Sequence, residues 1–160
     1  MMIEAFLDYL RFERNYSEHT VVAYETDLRQ FGDFLKSVGE ELDYTNVDSD
    51  LIRSWVVNLM NSSKSTSVNR KLSSLRSFYR FLVLDGYLKD DPTELLENPQ
   101  VGQHLPEYLT TEEVDQLENA IDLSKWEGQR NKAIIEVLFS CGLRVSELVN
   151  LKLSNLFEEE

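Results

Sequence analysis

Ser67-Val68-Asn69-Arg70-Lys71-Leu72-Ser73-Ser74-Leu75-Arg76-Ser77-Phe78-Tyr79-Arg80-Phe81-Leu82 divides its residues between two sides of one helix. Val68, Leu72, Leu75, Tyr79 and Leu82 recur at steps of three and four, so at 100° per residue they form a single apolar stripe. Asn69, Ser73, Arg76, Ser77 and Arg80 fall on the opposite side, with Arg70 at its edge. The helix is expected to start near Ser65 or Thr66 and to stop at Gly86. Such a stripe needs other apolar helices to pack against.

On either side of this stretch, apolar residues keep helical spacing almost everywhere, and no run of alternating apolar and polar residues suggests a strand. The spacing predicts an all-α chain. A first helix runs from about Ile3 to Arg14 with Phe6, Leu7 and Leu10 inward. Ser17 is suited to cap a second helix with Glu18 in its first turn, followed by Val21, Tyr24, Leu28, Phe31 and Leu35 and ended by Gly39. A third starts near Asp48 and turns Ile52, Trp55, Val56 and Leu59 inward until Asn61-Ser62-Ser63 interrupts it. All three prolines, Pro92, Pro99 and Pro106, lie within fifteen residues that also hold Gly102, which marks a linker over 91–106 between units 1–90 and 107–160. Beyond it, Thr110-x-x-Glu113 fits a capping box, with Val114, Leu117 and Ile121 continuing an amphipathic helix. Residues 130–140 are apolar enough for a core helix, Cys141-Gly142 ends it, and Val145 to Leu151 reads as a short helix.

Composition narrows the function classes. The chain has 160 residues, 42% of them hydrophobic, enough for one domain or two small ones. No apolar run approaches the roughly 18 residues of a membrane span, and the start lacks a signal pattern, so a cytoplasmic location away from membranes is expected. The single cysteine, Cys141, reads as a core thiol, and His19 and His104 read as surface histidines without metal-ligand spacing; no metal and no cofactor is implied. The net charge of −13 has the wrong sign for a simple nucleic-acid binder. Its distribution reverses that locally. Residues 51–84 contain Arg53, Lys64, Arg70, Lys71, Arg76 and Arg80 and no acid, which leaves −19 on the remainder.

The polar side of the fourth helix therefore carries donors without acceptors of opposite charge. An arginine fork, with short Ser and Asn hydroxyl and amide groups around it, matches phosphate oxygens and base edges, and the small side chains let a helix approach a groove. A plain solvated face is the alternative, although such faces usually mix both charge signs.

Several segments resemble one family. Ser17-Glu18-His19-Thr20-Val21-Val22-Ala23-Tyr24-Glu25-Thr26-Asp27-Leu28 is similar to the Thr-x-x-x-Tyr-x-x-Asp-Leu segment of the tyrosine recombinases, also called phage integrases. Ser67 to Leu82 resembles that family's fourth N-terminal helix almost throughout, and Leu105-Pro106-Glu107-Tyr108-Leu109-Thr110 resembles the entry to its catalytic domain. Gly142-Leu143-Arg144-Val145-Ser146-Glu147-Leu148 looks like the setting of its first catalytic arginine. The resemblance implies a four-helix SAM-like core-binding domain that grips duplex DNA, then the helical start of a catalytic domain. The implied DNA contacts are Lys64, Asn69, Arg70, Lys71, Ser73, Arg76, Ser77 and Arg80 with Thr20, and the implied catalytic residue is Arg144.

The chemistry accounts for an arginine at that place. Displacement at a DNA phosphodiester loads negative charge onto the non-bridging oxygens, and a guanidinium can clamp both. A surface pair with Glu147 is the structural alternative for Arg144. Glu147 itself is expected to stabilise the short helix or to orient Arg144, with proton transfer a weaker alternative. The family's lysine, His-x-x-Arg pair and nucleophilic tyrosine have no counterpart here, since all seven tyrosines precede Arg144; Asn155 stands where the family usually has Asp.

These features lead to three expectations. The chain is read as truncated and itself unable to cut DNA, and its opening directly on the helical domain favours the Xer type over arm-binding integrases, without separating chromosome-dimer resolution from mobile-element integration. Its partners would be a duplex recombination site and further recombinase subunits. A non-catalytic DNA-binding module and a helical protein-interaction domain remain as alternatives.

Overall fold

The computed structural model describes residues 2–102 and 107–155, and the chain divides into two compact units, Met1–Gln103 and His104–Glu160. Every regular element among the described residues is helical. No helix among them is long and apolar enough to cross a membrane.

In the first unit, α1 (Met2–Asp8) widens into a π-helical turn (Tyr9–Glu13), and α2 (Glu18–Ser37), α3 (Ser49–Met60) and α4 (Ser65–Leu84) come after it. The starts are set by capping. The Ser17 hydroxyl accepts from the Thr20 N–H, and the Asp48 carboxylate accepts from the Leu51 N–H at 2.8 Å, each satisfying a donor that the helix leaves open. Two of the ends share one geometry. Gly39 and Gly86 take left-handed φ values of 81° and 78°, and the residues after them, Glu40 and Tyr87, donate back to Leu35 and Leu82.

α4 packs against α1, α2 and α3, so its apolar stripe forms the centre of this unit. Phe6, Leu28, Phe31, Ile52, Trp55, Leu72, Phe78, Tyr79 and Leu82 are buried together, with the Phe31 and Trp55 rings 4.9 Å apart and Phe6 and Phe78 5.4 Å apart. The Tyr79 hydroxyl donates to the Tyr44 carbonyl at 3.1 Å, and burial pushes its phenol pKa up.

The structure departs from the sequence reading in three places, two here and one in the second unit. The first helix does not continue as regular α-helix to Arg14: the Arg14 N–H bonds to the Tyr9 carbonyl, five residues back, and Asn15 is left-handed at φ 51°. The first compact unit also extends well past residue 90. Leu96 joins its core, Thr93 is buried, and residues 91–101 lie along α3 and α4 as an irregular strap. The third departure concerns the helix expected to be a core element.

That helix belongs to the second unit, which holds α5 (Thr111–Asn119), α6 (Trp126–Cys141), α7 (Val145–Val149) and a 3-10 turn, Leu153–Asn155. The capping box forms: the Glu113 N–H donates to Thr110 Oγ1, and the Thr110 N–H donates to the Glu113 carboxylate at 2.8 Å. Gly128 packs α6 close to the preceding turn, where a Cβ would lie 2.0 Å from the Asp122 carbonyl oxygen. Otherwise α6 is only partly covered, with Ile135, Val137 and Leu138 half-buried, because the described elements of this unit are too few to enclose it. Ile134 and Phe139 are exposed, and so is Cys141, which is not the core thiol expected. His19 is exposed as expected; His104, Leu105 and Pro106 lie outside the described residues.

Candidate functional site

The site residues on and just before α4 take three kinds of surroundings, and Arg70 shares two of them. Lys64, Arg70, Ser73 and Arg80 are exposed, and Ser77 is half-buried in the same row, so that Arg70, Ser73, Ser77 and Arg80 run along one outward line of the helix. Ten residues separate the two arginines, about 15 Å along the axis. The side chains of Lys64 and Arg80 make no ion pair among the described residues. The Ser73 hydroxyl turns back to the Asn69 carbonyl at 2.9 Å.

A second group is held by the strap. The Asn69 side-chain amide donates to the Pro99 carbonyl at 3.0 Å, and the Arg76 guanidinium donates to the Leu96 carbonyl and to the Asn98 side chain. Both residues are among the predicted DNA contacts. They are half-buried, because a segment that reads as linker lies across them. Both partners of Arg76 are uncharged groups.

The third group meets an acid from another helix. Asp27 of α2 is 1% exposed and accepts from Arg70 Nη1 at 2.6 Å, from Arg70 Nη2 at 2.8 Å and from the Ser74 hydroxyl at 2.7 Å. Lys71 Nζ lies 3.4 Å from the same carboxylate and also donates to Gln30. The acid-free face of the sequence is therefore not acid-free in space. Asp27 sits beneath its edge, in the buried position that a paired and hydrogen-bonded carboxylate can occupy. Thr20 lies in the first turn of α2, where its N–H is capped by Ser17 and its hydroxyl is 2.9 Å from that of Ser17. Sequence reasoning did not assign Asp27 and Ser74 to the site, although two signals were present: Asp27 is the acid of the segment that resembles the family, and Ser74 is a polar residue between the apolar positions of α4.

In the second unit Arg144 stands at the start of α7, after the left-handed Gly142 at φ 63° ends α6. Its side chain is 82% exposed. Glu147 holds it at both ends: one carboxylate oxygen accepts from the Arg144 backbone N–H at 2.7 Å, and the other accepts from Nη1 at 2.9 Å. The carboxylate thus fills the role of a helix-capping Glu and steers the guanidinium at once. Four of the five N–H donors of the fork stay available for an anion. Asn155 Oδ1 accepts from the Lys152 N–H at 3.0 Å, a bond that an aspartate there would make equally well.

Comparison with known proteins agrees with this geometry. Residues 3–86 match the phage integrase N-terminal SAM-like domain, and residues 107–160 match the phage integrase family. Tyrosine recombinase XerC of Oceanobacillus iheyensis is 40% identical over 157 residues, covering 98% of this chain and 51% of that protein. Tyrosine recombinase XerD of Staphylococcus aureus (strain Mu50) is 34% identical over 157 residues, covering 97% of this chain and 52% of that protein. The chain spans about half the length of the curated relatives it matches. Among solved structures, the Tn1549 transposon integrase in complex with a circular intermediate DNA has the same fold, with a TM-score of 0.72 at 16% identity over 98% of this chain and 49% of that one. The integrase from mycobacterium phage Brujita is similar at a TM-score of 0.58 and 20% identity, over 94% of this chain and 48% of that one. With the helical unit and the arginine turn each matched in order along the sequence, the chain belongs to the phage integrase family, the tyrosine recombinases.

Proposed function

We propose that these 160 residues are the DNA-gripping helical domain and the arginine-bearing opening of the catalytic domain of a site-specific recombinase of the Xer type, acting in the cytoplasm. The observation that carries the reading is the outward row of Arg70, Ser73, Ser77 and Arg80 on α4, flanked by Lys64. Arginines about 15 Å apart can reach phosphates on either side of a major groove about 12 Å wide, while the serines between them let the backbone approach the bases. The names of the XerC and XerD relatives support the same reading. In the complete recombinase a tyrosine oxygen would attack the phosphorus, the 5′-hydroxyl would leave, and a 3′-phosphotyrosyl link would form. Arg144 would stabilise the charge on the non-bridging oxygens of that transition state. No resident cofactor enters this scheme. Duplex half-sites and further recombinase subunits are the partners it requires.

Residues 1–160 contain no tyrosine after Arg144, so by themselves they are expected to bind duplex DNA without cutting it. Each neutralised phosphate contributes about −0.9 to the slope of log affinity against log salt. Replacing Lys64 and Arg80 together by alanine is expected to flatten that slope by about 1.8. Binding of a recombination-site duplex at a series of salt concentrations reads it. An unchanged affinity and slope would remove this face from the DNA interface, and a covalent protein–DNA adduct would refute the expected lack of cleavage.

A further inference from the structure

The Asp27 cluster takes no part in the proposed cleavage chemistry, yet it lies at the edge of the basic side of α4. All of its donors come from that one helix: Arg70, Lys71 and Ser74. An isolated acid beside a phosphate-binding surface would repel the ligand. Here the carboxylate is buried, two cations face it, and the cluster keeps a net charge of +1.

The two cations are not equivalent. The Lys71 side chain is 11% exposed and is spent on Asp27 and Gln30, whereas the Arg70 side chain is 53% exposed. The carboxylate takes one N–H from each terminal nitrogen of Arg70. The remaining terminal N–H groups and Nε–H lie on the other edges of the same rigid plane. We propose that Asp27 is a positioning residue for DNA binding: it fixes the Arg70 guanidinium with its free edges toward a backbone phosphate, and Lys71 offsets the buried charge without touching DNA. An arginine already held in one orientation loses less rotamer freedom when it binds. This inference rests on the reading that α4 meets duplex DNA.

The experiment measures duplex affinity of the whole chain for D27N, R70Q, the double variant, R70K and R80A, with thermal unfolding recorded for each. Positioning predicts that D27N weakens binding about 3- to 10-fold, the worth of one immobilised side chain, although it removes a negative charge. It also predicts no further loss when D27N is added to R70Q. R70K keeps the charge but lacks the planar fork that offers Asp27 and a phosphate separate edges of one rigid group, so it is expected to weaken binding to a similar extent; if D27N does not fold, this variant carries the test. Tighter binding by D27N in both backgrounds would make Asp27 a simple repulsive charge. Equal losses in both backgrounds would make its effect a general structural one, and undiminished binding by R70K would deny any need for the fork; each of these overturns the proposal. If R80A binds as well as the parent chain, the DNA reading of α4 fails, and the inference falls with it.

Discussion

Arg144 is bound on one side and free on the other. Glu147 anchors its backbone and one nitrogen, and the exposed remainder of the fork stabilises nothing in the fold. In a recombinase that carries residues 1–160 and the nucleophilic tyrosine, Arg144→Ala is expected to abolish strand cleavage. Its stability should change by no more than about 0.5 kcal/mol, as at ordinary surface positions. A single-turnover cleavage assay beside chemical denaturation separates the two effects. Tyr79 behaves in the opposite way, being structural and buried. Because burial raises its folded-state pKa above the unfolded value of about 10, its contribution is intact below pH 10 and declines as pH rises beyond it. Denaturation at increasing pH should show an alkaline loss of stability that Tyr79→Phe removes, at a cost near 1 kcal/mol at neutral pH for the lost hydrogen bond. The sequence made Arg144 and Glu147 legible because they are three residues apart on one short helix, where spacing alone brings side chains together. Asp27 and Arg70 are 43 residues apart. Spacing says nothing about such a pair, and a face judged acid-free along the chain received its acid from a neighbouring helix.

Elements were readable wherever their ends carry chemistry. Ser17, Asp48 and the Thr110–Glu113 box start helices, and Gly39, Gly86 and Gly142 stop them, each through bonds that involve only nearby residues. The strap was not readable in the same way. Prolines and a glycine announce irregular backbone, but irregular backbone can be either a free linker or a packed segment, and the distinction lies in Leu96. That side chain enters the core beside α3 and α4 while Arg76 and Asn69 hold the backbone around it. Leu96→Ala is expected to cost about 2 kcal/mol, the low end for a buried leucine since this one lies at the core's margin. Urea denaturation of the two chains gives the difference; a cost near zero would return the segment to the status of a free linker.

Across the whole chain, charge and apolar surface are both unevenly distributed. The basic stretch 51–84 lies within the first unit, so the acidic excess of −19 is carried by the remainder. The second unit, described by itself, leaves Trp126, Phe139, Val145 and Val149 exposed, a share of large apolar side chains unusual for a closed surface. The chain is expected to bind a hydrophobic fluorescent dye in its native state. Val149→Lys with Phe139→Ser should lower the dye signal by more than half while leaving the first unit's unfolding transition in place. The helical pattern of 130–140 made that helix legible but not its exposure, because periodicity identifies an apolar face without saying whether the chain supplies a cover for it.

The π-helical turn at Tyr9–Glu13 has a bearing on descent. A turn closed over five residues accommodates one more than an α-helical turn, and the surplus is absorbed within the helix instead of being passed on to α2. Phe6, Leu7 and Leu10 stay buried on the inner side, while Phe12 stands out in solvent. One residue can therefore be gained or lost at this place in evolution without shifting the cap at Ser17 or the register of α2. An indel inside a regular helix would rotate everything after it by 100°. The widened turn makes the front of this domain a point where length can vary while the grip behind it does not.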